Sequence, residues 1–234
     1  MPRKPTRRPR LNERDFEIFD HLRRYRITTS EILHGLFFSD SQPNAVTKVT
    51  TRLVKHGYLN SFELYAPRKY FTIGPKAAHL MGISLNHTKK PGPQALIQDY
   101  GTLEFCFRGD DPRERLLVRE IHERDPALLA RRLTSNRYYL DHHTDTVRLG
   151  FIRVDFAGEL SHLMRKCRQD VDRRYEHQSF RELIDNGCFL IALVTAREER
   201  KDDIHAALRR YEWPIHFRIE VVPNLVHLLA RFQK

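Results

Sequence analysis

Three cysteines among 234 residues are too few, odd in number and too widely spaced to suggest a disulfide framework or a zinc site. Cys106, Cys167 and Cys188 are expected as reduced, mostly buried thiols. Long apolar runs are missing as well. The longest, Cys188–Val194, is far too short to span a bilayer, and Met1–Arg10 is basic and broken by prolines, with no apolar stretch for a signal peptide. A cytoplasmic protein is expected. There is no Gly-rich phosphate loop to support ATP-driven chemistry. No nucleophile constellation stands out, because Cys167 and Cys188 occupy apolar positions that read as core. No cofactor is expected.

Acidic residues are absent from the first twelve positions, and that absence is part of a larger asymmetry. The chain carries a net charge of +11. Residues 1–90 hold 17 Lys and Arg against 7 Asp and Glu, whereas residues 91–234 hold 24 against 23. A solubility surface would spread its charge, while a concentrated basic field attracts a polyanion and speeds encounter with it. Nucleic acid is the expected partner. A membrane surface is the weaker alternative, since no basic amphipathic helix with an aromatic face accompanies the charge.

What is present in the front third is ordered. Arg3, Lys4, Arg7, Arg8 and Arg10 alternate with prolines, which disfavour a helix, so residues 1–10 read as a disordered basic arm for phosphates or a minor groove. Asn12 is a good N-cap, with Asp15 three residues on, for a helix running to Tyr25 with Phe16, Ile18, Phe19 and Leu22 on its apolar stripe. Thr28-Thr29-Ser30-Glu31 has capping-box spacing and opens a short helix carrying Ile32, Leu33, Leu36 and Phe37. After a turn at Ser39–Pro43, a third helix is expected from about Asn44 to His56, with Gly57 as its left-handed cap.

The third helix carries Ala45, Val46, Val49, Leu53 and Val54 inward. Thr47, Lys48, Thr50, Thr51, Arg52 and Lys55 fall elsewhere on the wheel, without an acid. An ordinary solvated face would mix signs. A helix that enters a major groove needs short hydroxyls and long cations for base edges and phosphates. Period-two runs at Tyr58–Leu64 and Tyr70–Ile73 then flank Ala66-Pro67-Arg68-Lys69, which reads as a hairpin tip with two cations. Pro75–Met81 reads as a closing helix. Together these make a winged helix-turn-helix over residues 11–85.

Asn86–Pro93 is the linker candidate. Beyond it, Gln94–Phe107 and Pro112–Glu123 leave helix and strand both open. From Tyr138 on, strands at 138–140, 147–156, 188–195 and 216–222 alternate with helices at about 159–175, 202–211 and 224–232. That alternation argues for a partly parallel α/β sheet over 94–234. The fold class expected is α+β: a winged helix-turn-helix followed by a smaller α/β domain, the latter serving dimerisation or partner binding.

Three stretches resemble the replication-relaxation family of plasmid and mobile-element proteins. They are LNERDFEIFDHLRRYRITTSEILHGLFF, TRLVKHGYLNSF, and FIRVDFAGELSHLMRKCRQD with CFLIALVTAREERKDDIHAALRRY. The resemblance implies a winged helix joined to a degenerate restriction-endonuclease-like domain. It also implies a bacterial, nucleoid- or plasmid-associated role in replication, mobilisation or transcription regulation. A nuclease site would need acids converging on Mg²⁺ and a Lys near the attacking water. The candidates are Asp141 or Asp145, Asp155 and Glu159. Ala157 stands where the family-like motif would carry Lys, and Lys166 lies on the following helix. His142-His143 reads as a polar surface turn, not a metal site. The mixed charges of Arg165, Lys166, Arg168, Arg173 and Arg174 read as a solvated face.

The expectation is therefore a sequence-specific duplex-DNA-binding protein, acting as a homodimer and without catalysis. The alternative is a metal-dependent DNA nuclease targeted by the winged helix. The expected DNA-binding residues are Arg3, Lys4, Arg7, Arg8, Arg10, Asn44, Thr47, Lys48, Thr51, Arg52, Lys55, Arg68 and Lys69.

Overall fold

The computed structural model describes residues 10–232 apart from 43, 110–112, 130–132, 134, 136 and 143–145. The basic arm expected at 1–10, with Arg3, Lys4, Arg7 and Arg8, lies outside the described residues except for Arg10, as do His143 and Asp145. The described residues form ten α-helices and two sheets, a mixed α+β chain. They divide into two compact units, Met1–Pro91 and Gly92–Lys234. The second unit is the larger of the two, not the smaller. No helix among the described residues is long and apolar enough to cross a membrane.

The first unit runs α1 (Glu13–Tyr25), β1 (Thr28–Thr29), α2 (Ser30–Phe37), α3 (Asn44–Lys55), β2 (Leu59–Tyr65), β3 (Arg68–Ile73) and α4 (Pro75–Leu80). A reciprocal capping box starts α1: Asp15 N donates to Asn12 Oδ1 (3.0 Å) and Asn12 N to Asp15 Oδ2 (3.1 Å). Ile18, Phe19 and Leu22 are buried, whereas Phe16 is left 41% exposed. The cap of α2 is Thr29, whose Oγ1 accepts from Ile32 N; Thr28 is taken instead by β1, opposite Phe71. Gly57, at φ 76°, ends α3 with Gly57 N donating to Val54 O and Tyr58 N to Leu53 O, the bond pair of a Schellman cap. β1, β3 and β2 pair antiparallel in that order. Ala66-Pro67 makes the hairpin tip, and Arg68 and Lys69 already belong to β3. Part of the expected linker is structured: Leu85–Thr88 forms a 3-10 turn whose Thr88 carbonyl accepts from Asn60 Nδ2 at 2.8 Å.

The second unit runs α5 (Pro93–Phe107), β4 (Arg113–Arg115), α6 (Val118–Arg124), β5 (Tyr138–Asp141), β6 (Arg148–Val154), α7 (Leu160–Tyr175), α8 (Gln178–Asp185), β7 (Phe189–Thr195), α9 (Glu198–Leu208), β8 (His216–Val221) and α10 (Leu225–Phe232). Its five strands lie in chain order. The pairs β4–β5 and β5–β6 are antiparallel, and β6–β7 and β7–β8 are parallel. β7 is buried throughout, the continuous apolar run of a strand covered on both faces. The α8 helix was not anticipated; it buries Phe180 and Ile184, with Leu183 partly buried against the same core. α9 begins at Glu198, earlier than 202, because Glu198 and Glu199 favour the positive end of a helix. Phe151, Ile191 and Leu193 pack under α7, α8 and α9, while α5 covers the other face of β6 and β7.

Tyr139 on β5 faces Gly150 on β6, and a Cβ at Gly150 would stand 1.9 Å from the Tyr139 ring. Gly150→Ala should therefore force that buried ring aside and lower stability by about 3 kcal/mol, read from the urea midpoint. In the first unit, buried His21 shares a 2.9 Å hydrogen bond with Thr28 Oγ1. Burial, with Arg24 adding to it, lowers its pKa from 6.5 to about 4. On acidification the unfolded chain takes up this proton first. The stability from neutral His21 is thus whole above pH 6.5 and lost as pH falls towards 4, by up to about 3 kcal/mol. Urea midpoints by circular dichroism at pH 7 and 4.5 should drop more steeply in the wild type than in His21→Gln.

Candidate nucleic-acid interface

The exposed face of α3 is set by spacing. Asn44, Thr47, Lys48, Thr51 and Lys55 follow one another at i, i+3, i+4, i+7 and i+11, so they form a single stripe. All five are exposed, and Val46 and Leu53 on the opposite side are buried. No acid occurs anywhere in α3. Thr50, grouped with the polar face by sequence, is buried at 4% and its hydroxyl donates to Val46 O at 2.9 Å. That bond satisfies the hydroxyl within the helix and removes it from the outer surface.

The stripe borders a groove of about 610 Å³. Thr47, Thr51 and Lys55 line its α3 wall, Arg68 and Lys69 its hairpin wall, and Ser30 and Glu31 its α2 edge. Five of the residues expected to bind DNA are thus brought together in one concavity. Asn44 and Lys48 belong to the same helical stripe. Neither Ser30 nor Glu31 was expected in the groove; both sit in the first turn of α2, the turn capped by Thr29. Glu31 accepts from Arg68 Nε at 3.5 Å, an exposed pair of small worth. Arg68 also stacks on Tyr65 at 5.7 Å, and Lys69 is opposite Glu63 across the hairpin.

Arg52 has a different task from the one its position on the wheel suggested. Its Nη2 lies 2.6 Å from Asp15 Oδ1, and Nη1 donates to the carbonyl of Arg10 at 3.4 Å. The Asp15 side chain is 1% exposed. Arg52 is therefore a brace between α3 and the start of α1, and it anchors the chain at Arg10.

In the second unit the acids considered for a metal do not converge. Asp141 is opposite Arg148 at the start of β6, while Asp155 follows Val154 at its end. Seven residues of extended chain separate those levels, roughly 23 Å. Asp155 accepts from Arg200 Nε at 2.8 Å, Ala157 N at 3.1 Å and Thr195 Oγ1 at 3.4 Å. Asp141 faces Arg218 at 3.5 Å and the Tyr139 hydroxyl at 3.4 Å. Glu159 and Lys166 are exposed. Among the described residues no group of three or more His, Cys, Asp or Glu is placed to hold a metal ion. Cys167 is in the core, where burial pushes its thiol up to about 12; Cys188 is only half-buried.

Arg52→Ala would leave Asp15 buried beside an empty position and should cost about 2–3 kcal/mol in urea unfolding, since a buried charge loses its partner. Lys48→Ala and Lys55→Ala, on the open face, should each stay within about 0.5 kcal/mol of the wild type. Comparisons with protein-family models, with curated proteins and with solved structures found no match to this chain.

Proposed function

We propose that the first unit is a winged helix-turn-helix that binds duplex DNA, with α3 in the major groove and the β2–β3 hairpin as its wing. The observation that carries this reading is the acid-free stripe Asn44, Thr47, Lys48, Thr51 and Lys55 beside a groove whose other wall holds Arg68 and Lys69. A groove-reading helix must present donors without repelling phosphate, and this stripe does so. Asn44, Thr47 and Thr51 have the short polar side chains that reach base edges. Lys48, Lys55 and Lys69 are flexible point charges suited to phosphates. Two such modules on a two-fold-related site would enlarge a small interface, so the proposed partners are duplex DNA and a second copy of the chain. The family resemblance adds the setting, a regulator or a replication or mobilisation accessory factor of a mobile element.

The test is fluorescence anisotropy with duplex fragments flanking the coding region, over a salt series. Wild-type affinity should fall steeply with salt, and Lys48→Ala/Lys55→Ala should bind at least tenfold more weakly, with a salt slope shallower by about two. Unchanged binding in the double variant would sink the proposal. A chain cut after residue 91 should keep this binding, whereas a cut near residue 86 removes the Thr88 carbonyl that Asn60 uses.

A further inference from the structure

On the face of the second unit's sheet that meets α7, two arginines hold one carboxylate and a third stacks on the aromatic ring beside them. Arg153 on β6 gives both Nε and Nη2 to Asp170 Oδ2 from α7. Arg174, one turn after Asp170 and 3% exposed, donates Nη1 to the Asp170 carbonyl at 2.7 Å and both Nε and Nη2 to the Tyr138 hydroxyl. Its guanidinium lies 4.0 Å from the Phe151 ring centre, with Tyr138, Phe180 and Phe189 completing an aromatic box. Arg137 stacks on Phe151 as well, at 5.0 Å, and is half-buried. Three guanidinium charges therefore share one carboxylate.

Among the described residues Arg137 is the member without a counter-charge of its own. Its side chain makes no hydrogen bond or ion pair among the described residues, and residues 126–140 contain no acid. Burial lowers its pKa from the ordinary arginine value, and Arg153 and Arg174 push the same way against Asp170. Like charges gathered at reduced dielectric repel one another. The stacking on Phe151 offsets part of that cost, and no hydrogen bond or ion pair among the described residues offsets the rest.

We propose that Arg137 and Arg153, with Arg174 behind them, form an oxyanion site that takes a phosphate group. Guanidinium is the group suited to planar, bidentate phosphate recognition. The two members that touch the ligand have the capacity: Arg137 is partly open to solvent, and Arg153 Nη1 makes no hydrogen bond among the described residues. Arg174 is enclosed and supplies field, not contact. The same chemistry is offered by a nucleic-acid phosphodiester and by a phosphomonoester. The site stands apart from the DNA-binding reading of the first unit and does not depend on it.

The test is ³¹P line broadening of inorganic phosphate by the full chain at constant ionic strength, with Arg137→Gln and Lys48→Ala/Lys55→Ala as variants. Broadening should persist in the lysine variant and weaken about tenfold or more in apparent affinity in Arg137→Gln. In phosphate-free buffer Arg137→Gln should melt at or above the wild type, because a repulsive charge is gone. Competition in the lysine variant then identifies the source. Displacement by a short duplex with or without a 5′-phosphate marks the phosphodiester; displacement by the 5′-phosphorylated duplex alone, or by neither, marks a monoester. Either source supports the proposal. Broadening that is absent, or equal in wild type and Arg137→Gln, overturns it, as does an Arg137→Gln protein that melts lower.

Discussion

The Asp15 carboxylate accepts from the Asn12 backbone on one oxygen and from the Arg52 guanidinium on the other, at a position closed to solvent. A carboxylate taken out of water costs several kcal/mol unless it is paired and hydrogen-bonded. The pair is therefore obligatory for this burial, and it joins elements 37 residues apart in sequence. Through it the start of α1 fixes one side of α3, while Val46 and Leu53 fix the inner side by packing against Phe19 and Leu22 in a common core. With two faces committed, the remaining face is the one carrying Asn44, Thr47, Lys48, Thr51 and Lys55 towards the hairpin. Disturbing Asp15 would tilt the presented face without touching any residue on it.

In the second unit the carboxylates serve as counter-charges, and this decides what the sheet can do. On the α5 side Asp141 faces Arg218, and Arg113 reaches Glu220 at 2.7 Å. Arg113 is on one edge strand and Glu220 on the other, a span that requires the sheet to coil strongly. Asp155 is held by Arg200 at the carboxyl end of β6. Acids spent in this way are dispersed along and across the sheet, so a two-acid metal cradle is not assembled from Asp141 and Asp155. On the α7 side the count is reversed, with one acid among three arginines. That imbalance suits the proposed anion, where a hydrolytic metal centre would call for the opposite sign.

Legibility in the sequence followed the range of the interactions. The N-cap at Asn12, the glycine after α3, the hairpin and most of the alternation of strands and helices from 138 onward are local signals and are found, although α8 is missed, α9 starts earlier and the hairpin tip is shorter than spacing suggests. What could not be read was decided by distant partners. Nothing near Arg52 announces that it belongs to Asp15, and periodicity alone set it beside Lys48. Arg174 lies in a run of mixed charges that reads as solvated, yet Tyr138, 36 residues away, and an aromatic box draw it into the core. Thr28 and Thr29 are one capping signal in sequence; both pair in β1, and only Thr29 also caps α2. Asp141 and Asp155 look like a constellation only until the β5–β6 register puts Asp141 beside the start of β6 and Asp155 past its end.

The formal excess of charge in the first third overstates what is available for binding. Arg52 is committed to Asp15, Arg23 to Asp20 at 2.8 Å, and Arg68 is shared with Glu31. Lys48, Lys55 and Lys69 are exposed and form no ion pair among the described residues. The cations left over at the groove and along the α3 stripe are thus lysines, while the arginines next to it are structural or shared. A lysine gives affinity that varies little with base sequence; a bidentate arginine would read guanine. On the proposed reading, discrimination between sites then falls to Asn44, Thr47 and Thr51, whose short side chains demand that α3 approach the bases closely. Close approach is a matter of how α3 is seated, which returns the burden of specificity to the buried pair between Arg52 and Asp15.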